Sequence, residues 1–146
     1  MQREYPHRPI VGVLAVVQRD GEVLIVQRGR APSIGRWGFP GGVQELGETV
    51  LQAAERELAE ETGIVAEAIE AMPGFDVIRP DGEGRIQAHW LLIPVICRWR
   101  SGDGGLSDEV SDLRWIRPPA IATCGLDVLP NLEPLATRAM AWRTTT

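Results

Sequence analysis

The chain has 146 residues, 44% hydrophobic and 24% charged, a composition expected of one globular domain over residues 1–146. No apolar run approaches the roughly 18 residues of a membrane span, and the opening MQREYPHRPIVGVLAVV lacks the basic flank, apolar stretch and small-residue cleavage site of a secretory leader, so a membrane protein is excluded and the cytoplasm is the default location. The net charge of −5 argues against a general nucleic-acid binder, and all 15 basic residues are arginine, which excludes a P-loop lysine and Schiff-base chemistry.

The elements follow in chain order. Residues 10–17 (IVGVLAVV) and 23–27 (VLIVQ) are β-branched apolar runs around the turn signal Asp20-Gly21, predicting a hairpin of buried strands. Residues 28–42 (RGRAPSIGRWGFPGG) are rich in Gly and Pro and predict a long loop, a kind of segment that often carries function. Thr49 and Gln52 match a capping box, Leu51, Ala54 and Leu58 recur at helical spacing, and Gly63 stands where a helix stops. Two longer strands are expected over 65–78 and 85–99, paired around Pro80-Asp81-Gly82. A loop at 101–105, a short strand at 113–116, a helical turn at 118–124 and an amphipathic helix around 129–142 complete the chain. Their irregular alternation predicts a mixed sheet with helices packed on it, an α/β (α+β) architecture. Cys97 and Cys124 form no C-x-x-C arrangement, and both are expected to be buried small hydrophobes.

The stretch RELAEETG, residues 56–63, poses an electrostatic problem. Counted from Glu55, ERELAEE carries four carboxylates against one guanidinium. Glu57 and Glu61 stand four apart, a like-charge spacing that costs an isolated helix roughly 0.2–0.5 kcal/mol. At the helical rotation of about 100° per residue, Glu57, Glu60 and Glu61 share one arc beside the apolar arc of Leu51, Ala54 and Leu58. A solvated face is the ordinary explanation of such a cluster. Here Gly41-Gly42 permits close backbone approach, Glu48 precedes the helix, and Arg56 is placed to orient Glu57. Magnesium, a hard ion that takes oxygen ligands and keeps positions open for water and phosphate, would supply the missing positive charge.

Residues 42–64 resemble the Nudix box, G-x5-E-x7-R-E-U-x-E-E-x-G-U with U bulky and aliphatic. Gly42, Glu48, Arg56, Glu57, Leu58, Glu60, Glu61, Gly63 and Ile64 fill all nine defined positions. Trp37-Gly38-Phe39-Pro40-Gly41 resembles the family's usual approach to the box. The resemblance implies a Nudix-type mixed β-sheet sandwiched between α-helices, and hydrolysis of a nucleoside diphosphate linked to another group X. It implies Glu57, Glu60 and Glu61 as ligands of Mg2+, or of Mn2+ in its place, with the Gly41 carbonyl as a further ligand. Arg56 would orient Glu57, Glu48 would support the loop or an additional ion, and Gly42 and Gly63 would shape the ends of the box. Water would attack phosphorus, and a carboxylate of the box or of a later loop would take its proton.

Glu109, in SDEVSDLRW, is the candidate for that later-loop acid, with Asp108 and Asp112 as alternatives. Arg28, Arg30 and Arg36 border the loop leading to the box and are candidates for contacting phosphate or the terminal group, the alternative for each being solvent exposure. Trp37 and Trp90 are either base-stacking faces or packing residues, with packing favoured for Trp37. His89, on an expected strand, is assigned no chemistry. The segments WRSGDGG and DLRWI resemble ADP-ribose pyrophosphatase-like members, and Pro80 lies close to the position of a proline associated with ADP-ribose hydrolases. The expected partner is therefore a small nucleotide, most simply ADP-ribose or a related nucleotide sugar, with homodimers common in the family. A nucleoside triphosphate pyrophosphohydrolase is the leading alternative, and a binding or regulatory module that has lost catalysis is the alternative of another class.

Overall fold

The structure, a computed structural model, describes residues 2–142. Its elements are β1 (Ile10–Arg19), β2 (Glu22–Arg28), β3 (Trp37–Gly38), β4 (Gly41–Val43), α1 (Val50–Thr62), β5 (Val65–Ala71), β6 (Phe75–Pro80), β7 (Ile86–Ser101), β8 (Val110–Ile116), α2 (Pro118–Ile121) and α3 (Leu132–Ala141). All eight strands join one mixed sheet. β1 and β7 run parallel at its centre, from Ile10 beside Trp90 to Gln18 beside Arg98, and the other pairings are antiparallel. The expected opening hairpin forms, and Asp20 and Gly21 both take positive φ, as a two-residue hairpin turn of the favoured hand demands.

The strand expected over 65–78 is two strands. Met72-Pro73-Gly74 interrupts it: proline has no N–H for the ladder, and a Cβ on Gly74 would lie 2.5 Å from Ile93 Cδ1. The interruption lets β5 pair with the second half of β7 and β6 with the first. Beyond β6 the Pro-Asp-Gly turn is built as expected, the Asp81 carboxylate accepting from the N–H groups of Glu83 and Arg85 and from the Tyr5 hydroxyl.

Side chains alternate across the strands, so the sheet has two apolar faces. Val13, Ala15 and Val17 of β1, with Leu24, Val26, Val95 and Cys97, pack against Ala53, Ala54 and Leu58 of α1. Val16, Val23, Ile25 and Ile96 pack on the opposite side against Ile121, Leu132, Leu135, Ala136 and Ala139 of α2 and α3. The result is the expected mixed sheet between helices. Leu58 is fully buried, so its removal to Ala would cost on the order of 2–5 kcal/mol. That anchorage fixes which face of α1 is left for chemistry.

Both ends of α1 match their sequence signals: Thr49 and Gln52 make both bonds of the capping box, and Gly63 closes the helix in the left-handed region. The last two helices are shorter than expected. α2 ends at Ile121, and Cys124 is half-buried instead of buried, its thiol donating to the Ile121 carbonyl at 3.1 Å. Residues 125–131 are not helical; they run beside β3, where Trp37 N–H donates to Asp127 O and Leu129 N–H to Trp37 O. Among the described residues, no helix is long and apolar enough to cross a membrane.

Candidate active site

With its apolar stripe on the sheet, α1 presents Glu57 and Glu61 to β4. β4 is packed tightly enough to require two glycines, Gly41 against β1 and Gly42 against α1. A Cβ on Gly41 would fall 2.0 Å from the Val13 carbonyl oxygen, and one on Gly42 would fall 2.4 Å from the Glu57 carboxyl carbon. Gly41 also gives its N–H to Glu61 Oε2 at 3.1 Å, an interaction the sequence did not signal.

Arg56 fixes the first turn of this face. Its guanidinium donates to both oxygens of Glu48 at 2.7 and 2.9 Å, to Glu57 Oε1 at 2.9 Å, to Glu60 Oε2 at 3.2 Å and to the Val43 carbonyl at 2.9 Å. Such a forked, charge-assisted set holds orientation better than any single bond. Arg56 holds the Glu48 carboxyl below its usual range, and Glu48 also accepts from the Glu45 N–H in the loop before α1. The same arginine only partly offsets burial at Glu57, whose carboxyl is pushed above its ordinary value.

Glu109 reaches this face from the loop before β8, whose first residue, Val110, packs in the same core cluster as α1. It immediately precedes β8, whose Val110 lies beside Arg28 of β2, and its carbonyl accepts from the Gly29 N–H at 2.9 Å. Carboxylate oxygens of Glu57, Glu61 and Glu109 thereby lie within 4.8 Å of one another. Burial, the neighbouring Glu109 and the charge of Glu57 push the Glu61 carboxyl up to about 9. Three hard oxygen donors crowded together, one of them buried enough to resist ionisation, are the chemistry of a divalent-cation site. The residues present therefore fit the ion that the box implies, and Glu57, Glu61 and Glu109 would hold it.

Other sequence candidates take different places. Glu60 is not brought into this group: its side chain is 60% exposed and turned to Arg56. Arg28 donates to the Pro32 carbonyl at 2.7 Å, and Arg36 to Asp127 and to the Val128 carbonyl. Arg30 lies 3.3 Å from Glu109 Oε1 and 3.5 Å from Asp108. Asp108 is otherwise exposed, and Asp112 accepts from its neighbour's N–H. Trp37 is only 3% exposed and belongs to the core beneath α3. Trp90 is half-buried with Arg3 over its ring, and His89 is hydrogen-bonded to Asp76 at 3.1 Å. Gly63 serves as the helix stop. The pairing of residues 28–30 with 108–110 left no local sequence signal, since 79 positions separate Arg30 from Glu109.

The NUDIX domain profile matches residues 6–142. An "ADP-ribose pyrophosphatase" of Methanocaldococcus jannaschii is 31% identical over 112 residues, 76% of this chain and 66% of its own length. A "CTP pyrophosphohydrolase" of Escherichia coli is 37% identical over 98 residues, 58% of this chain and 73% of its own length. Thus the chain spans just under two thirds of the first of these relatives. The crystal structure of a "MutT NUDIX hydrolase" from Burkholderia pseudomallei superposes with a TM-score of 0.65 at 30% identity, covering 94% of this chain and all of that one. With the whole box filled, Glu57 and Glu61 of the box meeting Glu109 beside β4 and the profile match running nearly the full chain, this protein belongs to the Nudix hydrolase family.

Proposed function

We propose that the protein hydrolyses a pyrophosphate bond in a nucleoside diphosphate linked to X, with ADP-ribose or a related nucleotide sugar as the substrate class and Mg2+, or Mn2+ in its place, as the ion. The observation that carries this reading is the convergence of Glu57, Glu61 and Glu109. When bound, a divalent ion neutralises phosphate charge and activates water. The chain's own residues prepare that chemistry. Arg56 keeps the Glu57 carboxylate turned to the site. The Gly41 N–H holds one oxygen of Glu61 beside β4. Glu109, 47% exposed and borne on a loop, is the acceptor for the proton of the attacking water. Water's oxygen bonds to phosphorus, the anhydride P–O bond breaks, and two phosphate-bearing products leave. Glu60, on the rim and held by Arg56, is the reserve ligand of the helix.

The nucleotide-sugar assignment draws on the archaeal relative's name and on Pro80. The second reading, a nucleoside triphosphate pyrophosphohydrolase, draws on the 37% identical CTP pyrophosphohydrolase. The decisive assay is product release from ADP-ribose, nucleotide sugars, dinucleoside polyphosphates and canonical or oxidised nucleoside triphosphates, with and without Mg2+. Mg2+-dependent AMP and ribose 5-phosphate from ADP-ribose supports the first reading. Pyrophosphate released preferentially from a triphosphate replaces it with the second. Silence across the set with a nucleotide still bound makes the protein a binding module.

A further inference from the structure

We propose that Arg30 is the positioning residue for Glu109, doing for the loop-borne carboxylate what Arg56 does for Glu57; the inference rests on the reading that Glu109 belongs to the site. Each carboxylate of the group has its own donor. Glu57 has Arg56, Glu61 has the Gly41 N–H, and Glu109 has Arg30 at 3.3 Å. Of the three arginines bordering the 28–42 loop, Arg28 and Arg36 are engaged by the Pro32 and Val128 carbonyls, which leaves Arg30 as the one that faces the carboxylates.

The backbone beneath this pair is fixed independently. Gly29 N–H holds the Glu109 carbonyl, and a Cβ on Gly29 would lie 2.7 Å from the Asp108 carbonyl oxygen, so the two segments touch closely without help from Arg30. The guanidinium, 58% exposed, reaches both Asp108 and Glu109. Exposed pairs contribute little to stability. Its effect is on orientation: without it, the charge of Glu57 turns the Glu109 carboxylate outward to solvent.

The test is a cycle of Arg30→Gln, Glu109→Gln and the double variant, with Arg30→Lys as the conservative replacement, read by Mn2+ affinity without substrate and by kcat and KM on the substrate found active. Outer-shell partners of metal ligands commonly contribute 10–100-fold. Arg30→Gln should lower kcat and weaken Mn2+ binding each about 10-fold, the low end of that range for an exposed partner, with KM nearly unchanged. Arg30→Lys should recover most of the loss, and Arg30→Gln should do nothing further in the Glu109→Gln background. Equal losses in both backgrounds, a rise confined to KM, tighter Mn2+ binding or no change at all would each overturn the positioning role. Should Glu109→Gln itself leave kcat and Mn2+ affinity intact, the membership of Glu109 in the site falls first, and the role of Arg30 with it.

Discussion

The two halves of the site are built differently. The helix-borne half, Glu57 and Glu61, rests on a fully buried Leu58, a closed capping box and an arginine, 23% exposed, with donors to three glutamates and a backbone carbonyl. The loop-borne half is Glu109, exposed and tied down by one backbone bond and one exposed ion pair. Packing fixes the first half before any ligand arrives, whereas the second depends on a few polar contacts at the surface. Loops on a rigid scaffold are where related proteins vary most. The contrast teaches that the helix-borne carboxylates are set by the core, whereas Glu109 and the loops around it, residues 28–36 and 102–109, rest on surface contacts.

The strongest way to break the contrast is to neutralise the helix-borne acids. Glu57→Gln and Glu61→Gln should each lower turnover at least about 100-fold, as loss of a metal-binding or acid–base carboxylate does. Thermal unfolding should be unharmed, because neither side chain is part of an apolar cluster. Steady-state turnover beside a melting curve checks both. Activity unchanged in either variant removes that residue from the site.

The helix-borne half was legible because its causes are local. A cap, an apolar stripe at helical period, a stop glycine and E-x-x-E-E all lie within residues 49–63, where spacing alone fixes geometry. Glu60 escaped that logic: it shares the acidic arc, but Arg56 at i−4 draws it to the rim. The loop-borne half depends on the β2–β8 pairing, whose register no single segment encodes. Thus Glu109 was reachable only through the family pattern, while its partner Arg30 looked like one of three equivalent arginines. The break at Met72-Pro73-Gly74 was missed for the opposite reason, since strong β propensity on both sides hid a proline that forbids one continuous ladder.

Two adjacent glycines sharpen the comparison at single-atom scale. Gly42→Ala puts its Cβ against the Glu57 carboxylate, the end of a side chain that can move. Turnover should fall about 10-fold while stability changes little, as for other outer-shell disturbances. Gly41→Ala puts its Cβ against a backbone carbonyl of β1 and should lower stability before it lowers activity. Melting temperature and kcat measured on both variants separate the cases. The same loss pattern in both would mean that β4 moves as one piece with the site.

A pH series on chelator-treated protein tests the electrostatics of the group. A carboxyl whose folded pKa of about 9 lies above its ordinary 4.5 makes the folded protein bind more protons than the unfolded chain between those values. Stability must then fall as pH rises through that window. The melting temperature should decline from pH 5 to pH 8.5, the decline should shrink in Glu61→Gln, and Mg2+ should flatten it by neutralising the ionised group. A flat wild-type profile in chelator would mean that Glu61 is not crowded by Glu109 and Glu57.

The smallest effect separates holding the helix from holding the site. Thr49→Ala removes the hydroxyl that accepts from the Gln52 N–H and strands the reciprocal bond of the capping box. Loss of such a cap costs about 1 kcal/mol. The carboxylates, however, are positioned by Arg56 and the Gly41 N–H, neither of which touches Thr49. Denaturant unfolding should therefore report the lost stability while kcat stays within about twofold of wild type. A tenfold fall in kcat at that modest cost in stability would show that fraying the first turn is transmitted through Arg56 to Glu57, and that the helix-borne half is less independent of its ends than its packing implies.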